Sequence, residues 1–548
     1  MLLLAAALVI AFAGGLFGTL AATSWIAASR RPVALEAPRF VDETSSSGLA
    51  HIYGGGFDFA VGGGVAILDC DGDGRPDIYL AGGAQPAALF RNESLLGGPL
   101  RFSRVADGAS ALLDVNGAYP LDVDGDGKVD LAVLRNGENV LLRGLGDCRF
   151  ERANERWNLD GGKQPTESFS ATWEAGAPLP TLAFGNYLRP EFNQPHHLCF
   201  DNELIRPSGP DGYGRPISLA PGWCALSMLF SDWDRSGRRD LRISNDREYY
   251  LPEDGQEQLW RVEPGKSPRL YGDGNGWAVV QIQGMGIASY DLNGDGYPEY
   301  YLTSQAANRL QTLSEGPAQP AYGEIALKSG VNASEPFTGG DTRPSTAWHP
   351  EFADVNNDGY EDLFVSKGNV KDQPEYAHRD PSDLFLGNPQ GTFREVADVA
   401  DILNFDRGRG AALADFNLDG LLDLVEVNYG SGTRIWRNVG AGDAVHPAQM
   451  GNWLALGVTE PGSNHDAIGS WVEVKAGDRV QRRELTVGGG HAGGQLGWIH
   501  FGMGTAETAQ VRVQWPDGTM SAWMDVPTKR YATIDRGEGN VTPWQPSP

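Results

Sequence analysis

One short segment of the chain concentrates carboxylates. Asp69–Asp77 reads DCDGDGRPD, so four acids fall within nine residues. Like charges this close repel one another, and a bound cation relieves the repulsion. Ca²⁺ is a hard cation that takes about 6–8 oxygen ligands. A loop of this kind offers side-chain oxygens at positions 1, 3 and 5, a backbone carbonyl at position 7 and a carboxylate at position 9, so the segment predicts a calcium site.

Five further segments repeat the pattern D-x-[DN]-x-[DS]-G-x-x-[DE], and six matches in one chain make chance negligible. They are Asp122–Asp130, Asp232–Asp240, Asp291–Glu299, Asp354–Asp362 and Asp415–Asp423. Position 6 is glycine in all six, as a chain reversal with positive φ favours. The candidate calcium ligands, with position 7 acting through its carbonyl, are Asp69, Asp71, Asp73, Arg75, Asp77, Asp122, Asp124, Asp126, Lys128, Asp130, Asp232, Asp234, Ser236, Arg238, Asp240, Asp291, Asn293, Asp295, Tyr297, Glu299, Asp354, Asn356, Asp358, Tyr360, Asp362, Asp415, Asn417, Asp419, Leu421 and Asp423.

Two other interpretations of these loops fit less well. An EF-hand needs Glu at position 12 and flanking helices, but only Glu426 among the six position-12 residues is acidic, and the flanks are typical of strands. Plain Asp/Gly turns have no need of an acid at position 9. Ser236 replaces a carboxylate with a hydroxyl, so the third site should be the weakest.

The flanks of the loops predict the fold. Short apolar runs precede and follow each loop, so each loop is expected at the tip of a β-hairpin. The loop starts are separated by 53, 110, 59, 63 and 61 residues. The doubled gap predicts a seventh, degenerate unit, in which Asn186 takes the place of the leading Asp. Seven units of about four strands predict an all-β, seven-bladed β-propeller with Ca²⁺-binding loops at residues 40–440. A linear solenoid is the alternative architecture.

Composition and charge restrict the class of protein. The chain has 548 residues and a formal net charge of −27, which argues against nucleic acid as a partner. Loops of this type in extracellular modules bind Ca²⁺ at about 10⁻⁴–10⁻³ M, so the body of the chain is expected outside the cytosol. The four cysteines permit disulfides there. Cys199 and Cys224 flank a Pro/Gly-rich loop and are the preferred pair, although all four could be free thiols.

The N-terminus predicts contact with a membrane. Residues 1–28 contain no charged side chain and are long enough to form a helix that crosses a bilayer. They predict either an uncleaved signal anchor or a cleaved signal peptide, followed by a linker at residues 29–39. Arg30 and Arg31 lie on the side of this run that the positive-inside rule disfavours. Residues 1–28 contact the membrane only if they are retained.

The C-terminal part predicts a second domain. Residues 450–537 alternate apolar and polar positions between glycine turns, which indicates a small β-sandwich or barrel, and residues 538–548 are expected to be disordered. His465, His491 and His500 in this domain, and His196 and His197 in an irregular insert, are interpreted as structural.

Both parts of the chain resemble known families. The acidic-loop units resemble FG-GAP/VCBS repeats. The motifs N-W-L at Asn452–Leu454, S-N-x-D-A-I-G at Ser463–Gly469, H-F-G-x-G at His500–Gly504 and W-P-D-G at Trp515–Gly518 resemble the ASPIC/UnbV domain of the cartilage acidic protein family. The resemblance implies a Ca²⁺-binding propeller followed by a small β-domain, and it implies no enzymatic activity.

Together these features predict a non-enzymatic, calcium-stabilised binding or scaffold protein on the extracytoplasmic side of a membrane. It would hold a protein partner or a complex that the sequence does not identify. A carbohydrate- or matrix-adhesion protein is the alternative, and a propeller enzyme of the polysaccharide lyase or quinoprotein type is a third reading. The sequence contains no nucleophile elbow, P-loop or H-E-x-x-H motif.

Overall fold

The computed structural model describes residues 35–189, 198–247 and 255–546. Their regular structure is almost entirely β-strand, which confirms the all-β class. Within these residues we find one short α-helix, α1 (Ala326–Ser329), and two 3-10 turns, Phe57–Phe59 and Asp273–Asn275. In the same ranges, no helix has both the length and the apolar character needed to cross a bilayer. The predicted helix at residues 1–28, His196 and His197 lie outside the described residues.

Seven four-stranded antiparallel sheets occupy the described residues between 39 and 440. Strand β1 (Arg39–Asp42) belongs to the last of them. Sheets I and II comprise β2 (Val65–Leu68), β3 (Asp77–Leu80), β4 (Ala88–Asn92) and β5 (Phe102–Arg104), and β6 (Val115–Leu121), β7 (Asp130–Arg135), β8 (Val140–Gly146) and β9 (Arg149–Arg152). Sheet III comprises β10 (Thr166–Thr172), β11 (Thr181–Asn186), β12 (Asn202–Ile205) and β15 (Ile217–Leu219), with the hairpin β13 (Pro207–Gly209) and β14 (Gly212–Tyr213) inserted.

The remaining sheets follow the same order. Sheets IV and V comprise β16 (Ala225–Ser231), β17 (Asp240–Asn245), β18 (Gln258–Arg261) and β19 (Arg269–Leu270), and β20 (Gly284–Tyr290), β21 (Glu299–Ser304), β22 (Arg309–Leu313) and β23 (Tyr322–Glu324). Sheets VI and VII comprise β24 (Ala347–Ala353), β25 (Asp362–Lys367), β26 (Asp383–Gly387) and β27 (Phe393–Glu395), and β28 (Gly408–Ala414), β29 (Asp423–Asn428), β30 (Arg434–Gly440) and β1.

The sheets follow one another as in a β-propeller. The first strand of each sheet contacts the first strand of the next, and β28 of sheet VII contacts β2 of sheet I. Strand β1, from the beginning of the described chain, pairs with β30 near the end of the repeats and completes sheet VII. Most side chains of the first strands are buried, which explains why these strands read as runs of apolar and small residues rather than as alternating patterns.

The C-terminal domain consists of two packed sheets, which is the sandwich form of the two architectures, sandwich or barrel, that the sequence left open. One sheet comprises β34 (Ile499–Gly504), β31 (Asn452–Thr459), β37 (Arg530–Asp535) and β38 (Val541–Trp544), and the other β33 (Arg479–Glu484), β32 (Trp471–Ala476), β35 (Thr508–Gln514) and β36 (Met524–Pro527). Apolar side chains from both sheets form one core between them. The expectation of a disordered tail at residues 538–548 is wrong for β38, which pairs with β37 and packs the indole of Trp544 against Trp498.

Candidate metal centres and the domain that covers them

The six acidic loops lie where the sequence places them, at the tips of hairpins between the first and second strands of a sheet. In each, the residue before position 1 pairs with position 9, as Leu68 does with Asp77 and Ala414 with Asp423. The other four pairs are Leu121 with Asp130, Ser231 with Asp240, Tyr290 with Glu299, and Ala353 with Asp362. The period-two geometry of the strands therefore sets every nine-residue loop in the same register.

Backbone N–H groups hold the loop carboxylates in one repeated arrangement. In all six loops Oδ2 of the position-1 Asp accepts the N–H of the position-6 glycine at 2.5–3.1 Å. Those glycines have φ between 76° and 96°, where a side chain would be strained. Oδ1 of the position-5 Asp accepts the N–H of position 7, with the Ser236 hydroxyl taking its place in the third loop.

The position-9 acid is held in the same way in five loops. One of its oxygens accepts the N–H of position 2, as Asp77 does from Cys70 at 2.8 Å. In four of these five loops the other oxygen accepts an N–H from the third strand of the sheet, as Asp77 does from Asn92 at 2.7 Å. A carboxylate oxygen has a second lone pair. The position-9 acids of those four loops therefore keep acceptor capacity that the backbone does not use.

The residues present fit a cation of the calcium type. Ligand oxygens of positions 1, 3 and 9 lie within 4.8 Å of one another in the first loop and in the second loop. Buried carboxylate oxygens without a hydrogen-bond partner occur in the second and fourth loops, at Oδ1 of Asp124 and of Asp291. A third, Oδ1 of Asp232 in the third loop, lies in the field of the Arg239 guanidinium. Buried carboxylate oxygens without a donor are costly unless a positive charge compensates them.

Burial dominates the electrostatics of the loops. It raises the pKa of Asp122 and Asp130 to about 6 and about 8, and that of Glu299 to about 7, while backbone N–H donors partly oppose the rise. Burial also raises the pKa of Asp77, Asp362 and Asp423 well above the ordinary value, and the neighbouring loop carboxylates raise it further. Burial and the neighbouring charges therefore disfavour the ionised form of these carboxyls, and a bound cation would favour it.

The third loop differs from the other five. The guanidinium of Arg238 lies between Asp234 and Asp240, with Nη2 at 3.0 Å from Asp234 Oδ2 and Nε at 3.0 Å from Asp240 Oδ1. Asp240 Oδ2 also accepts hydrogen bonds from the indole of Trp233 and the hydroxyl of Tyr271, both at 2.9 Å. Only the backbone carbonyl of Arg238 was predicted to be a ligand, and the position of its side chain between these acids was not predicted.

The degenerate unit exists, but its predicted alignment is wrong. Sheet III fills the long gap between the second and third loops. Its first hairpin pairs Thr172 with Thr181, so the segment that replaces the acidic loop is Trp173–Thr181. Asn186 is the last residue of the second strand, β11, and lies at the end of that strand away from the loop. The prediction had placed it at position 1 of the loop. The single acid of the segment, Glu174, accepts a hydrogen bond from Arg206.

The C-terminal domain lies against the face formed by the loops and contacts all six of them. Trp498 Nε1 donates to the carbonyl of Gly74 in the first loop at 2.9 Å, and the Tyr531 hydroxyl donates to Asp415 Oδ2 in the sixth at 2.5 Å. His465 lies beside Asp122 in the second loop, and Glu484 accepts the N–H of Asp232 in the third. Arg482 donates to Asp291 in the fourth loop, and His500 is hydrogen-bonded to Asn357 in the fifth. Of these six contact residues, His465 and His500 lie in the ASPIC/UnbV-like motifs.

A glycine-rich segment of the same domain, residues 487–495, enters the centre of the ring. It forms isolated bridges with the first strands of five sheets, at Ile67, Ala118, Ala171, Leu229 and Ile287. The ring centroid of His491 lies 5.1 Å from that of Trp348, which belongs to a sixth sheet, and the imidazole is hydrogen-bonded to the carbonyl of Val61. Burial lowers the pKa of His491 and of His500 to about 3. Both are therefore neutral packing residues, in agreement with the structural interpretation of these histidines.

The close approach of this segment explains glycines on both sides of the contact. A Cβ at Gly64 or Gly117 would lie 1.8 or 1.9 Å from the carbonyl oxygen of Ala492. A Cβ at Gly493 would lie 2.0 Å from the carbonyl oxygen of Val65. The sequence showed the glycine run, but periodicity and spacing gave no sign that it meets the first strands of the propeller.

Two disulfides constrain the repeats. Cys199 and Cys224 are paired, as preferred, and Cys70 is paired with Cys148. The second bridge joins position 2 of the first loop to the turn between β8 and β9, so it links sheet I to sheet II. Both bridges are consistent with an oxidising compartment.

Comparison with known proteins agrees with this architecture. The model of the FG-GAP-like repeat matches residues 69–133 and 291–365, and the ASPIC and UnbV model matches residues 460–541. Cartilage acidic protein 1 of Xenopus tropicalis is 25% identical over 227 residues, which cover 39% of this chain and 32% of that protein. The matched part therefore spans about a third of the length of that relative.

Solved structures with propeller-like similarity share little sequence with the chain. A lectin of Agrocybe aegerita that recognises non-reducing terminal N-acetylglucosamine is 16% identical, with a TM-score of 0.37 and coverage of 66% of this chain and 88% of that one. The sialidase of Trypanosoma rangeli is 10% identical, with a TM-score of 0.36 and coverage of 68% and 59%.

Proposed function

The chain carries FG-GAP-like repeats followed by an ASPIC and UnbV domain, and from this premise we propose that it is a calcium-stabilised, non-enzymatic scaffold or adhesion protein of the extracytoplasmic space. The seven sheets are the blades of a closed propeller, and calcium ions in the acidic loops hold its C-terminal domain in place. The observation that carries the proposal is that the predicted ion sites and the interface between the domains are the same surface.

The ligands would be the carboxylates and amide oxygens at positions 1, 3, 5 and 9, with the carbonyl of position 7. Ca²⁺ bound in these sites would supply positive charge to carboxylates whose ionised form is otherwise disfavoured by burial. The residues of the chain do the rest. Backbone N–H groups orient each carboxylate, the position-6 glycine reverses the chain, and side chains such as Tyr531 and His500 connect the ordered loops to the second domain.

This arrangement limits where a partner can bind. The loop face is covered by the C-terminal domain, and residues 487–495 occupy the centre of the ring. The opposite end of the ring carries the connections that lead into the first strands. Ile52, Phe57 and Leu113 lie on those connections and are about half exposed. We therefore assign partner binding to this end and to the outer edges of the blades, and not to a central channel.

Two experiments test the proposal. Calcium titration of the chelated full-length protein, followed by scanning calorimetry and small-angle X-ray scattering, should show a higher melting temperature and a more compact particle as Ca²⁺ binds. Calcium binding without any change in compactness would contradict the proposed role at the domain interface. Amine labelling with a membrane-impermeant reagent in intact cells, with N-terminal sequencing of the mature protein, would test the location and show whether residues 1–28 are retained.

A further inference from the structure

We propose that the third loop, Asp232–Asp240, takes the guanidinium of Arg238 in place of a calcium ion and is the calcium-independent attachment point of the C-terminal domain. This inference rests on the proposed function of the other loops. It separates the loops into five that need a cation from solution and one that carries its own.

The first argument is the position of the guanidinium. In the calcium arrangement the acids at positions 3 and 9 face the same ion. In the third loop Arg238 occupies that place, because its Nη2 lies 3.0 Å from Asp234 Oδ2 and 3.2 Å from Asp240 Oδ2. Its Nε adds a contact of 3.0 Å to Asp240 Oδ1. A planar guanidinium with two donors on one carboxylate is a strong and geometrically specific partner.

The second argument is that Asp240 accepts five hydrogen bonds and that two of them come from a cation. Its Oδ2 receives Trp233, Tyr271 and Arg238, and its Oδ1 receives Arg238 and the N–H of Val262. In the first loop, by contrast, the oxygens of Asp77 receive the backbone N–H groups of Cys70 and Asn92. Glu299, the position-9 acid of the fourth loop, accepts four hydrogen bonds, but all its donors are neutral.

The third argument is a comparison with the other guanidiniums near the loops. Arg75 occupies the same position 7 in the first loop, but its side chain contacts Asp73 at position 5 and the carbonyl of Ser94. Arg143 contacts positions 3 and 5 of the second loop, and Arg482 contacts position 1 of the fourth. Among the cationic side chains that contact the described loops, only Arg238 joins the position-9 acid to another loop acid. The amide of Asn293 joins Glu299 to Asp295 in the fourth loop, but it carries no charge.

The fourth argument is charge. The third loop contains three acids and three arginines, Arg235, Arg238 and Arg239, so its formal charge is zero. The first loop contains four acids and one arginine and has a formal charge of −3. A divalent cation is attracted to a loop with a negative charge, such as the first loop, and not to a neutral loop.

The other two arginines of the third loop bind the C-terminal domain. Arg235 forms an ion pair with Glu473 at 3.2 Å and lies over the ring of Trp471. Arg239 Nη2 donates to the carbonyls of Gly469 and Pro516 at 3.1 and 3.0 Å. These contacts need no ion, so the domain should stay attached at sheet IV when calcium is removed.

Hydrogen exchange of the wild-type full-length protein, with and without chelator, tests the proposal without any substitution. We expect amides of the other five loops to exchange faster after chelation, and amides of residues 232–240 to keep their protection. Faster exchange in the third loop together with the others would overturn this inference. No change in any loop would instead overturn the proposed function.

Matched variants give an independent readout. The wild type should bind one calcium ion fewer than its six loops, as measured by equilibrium dialysis of the folded protein. Arg238→Ala should bind one more ion than the wild type, because Asp234 and Asp240 lose their internal cation, whereas Arg238→Lys and Arg75→Ala should not. Six ions in the wild type, or an equal count in wild type and folded Arg238→Ala, would overturn the inference. If Arg238→Ala does not fold, the wild-type count and the exchange data decide the question.

Discussion

Removal of calcium should lower the melting temperature of the protein by an amount that the structure allows us to work out. Five loops offer sites to solvent cations under the scheme above. With dissociation constants of about 10⁻⁴–10⁻³ M and about 10 mM free Ca²⁺, each site stabilises the folded state by about 1.4–2.7 kcal/mol. Five independent sites then contribute about 7–14 kcal/mol.

The unfolding entropy converts this energy into a temperature. At about 2.1 cal/mol/K per residue, unfolding of the roughly 500 ordered residues has an entropy of about 1 kcal/mol/K, so the melting temperature should shift by about 7–13 °C. Scanning calorimetry in excess chelator and in about 10 mM CaCl₂ measures the shift, with MgCl₂ at equal ionic strength as control, since Mg²⁺ demands octahedral geometry and keeps its waters. A shift below about 2 °C, or an equal shift with Mg²⁺, would refute the reasoning.

Three further predictions concern pH, the central segment and the domain interface. Burial raises the pKa of the loop carboxyls Asp122 and Asp130 to about 6 and about 8 in the folded chain. Between pH 5 and about 8.5 the folded state therefore binds protons that the unfolded state has released. In chelator the melting temperature should fall as the pH rises through this window. With saturating Ca²⁺ this decline should disappear; the same decline in both conditions would count against ion binding at these groups. Gly117→Ala should destabilise the protein by about 1–3 kcal/mol, because its Cβ would collide with the carbonyl of Ala492, whereas Gly108→Ala, in open space, should be nearly neutral in the same urea titration. Tyr531→Phe should cost about 1–3 kcal/mol by leaving buried Asp415 without this donor. Tyr429→Phe serves as a comparison, since the Tyr429 hydroxyl donates to the carbonyl of Gly55 on a connection away from the loops. An unchanged urea midpoint for Tyr531→Phe would show that the hydrogen bond does not stabilise the interface.

The sequence by itself determined the parts of this protein that are local and repeated. The nine-residue spacing from Asp69 to Asp77 and its five near-copies fixed six hairpin tips, because a hairpin and its tip are set by neighbouring residues. The glycine at position 6 and the apolar runs on either side were sufficient to place the first two strands of the six units that carry an acidic loop. The alternating pattern of residues 450–537 predicted a small β-domain, but it left a sandwich and a barrel open.

The degenerate unit shows where this reasoning ends. Without acids to mark the loop, apolar strands of similar composition cannot be told apart, and Asn186 was placed at the wrong end of its strand. The pairing of Thr172 with Thr181 gives the register directly, since only the hydrogen-bonded partner distinguishes the first strand from the second.

Only the tertiary structure decided how distant segments meet. Residues 487–495 are rich in glycine, which gave no indication of a partner, yet they lie against first strands more than 200 residues away in the chain. The side chain of Arg238 read as a neighbour of a carbonyl ligand, yet it lies between two carboxylates. Such contacts depend on how the sheets are arranged around the ring and on which rotamer fills the remaining space, and neither is encoded in the spacing of residues along the chain.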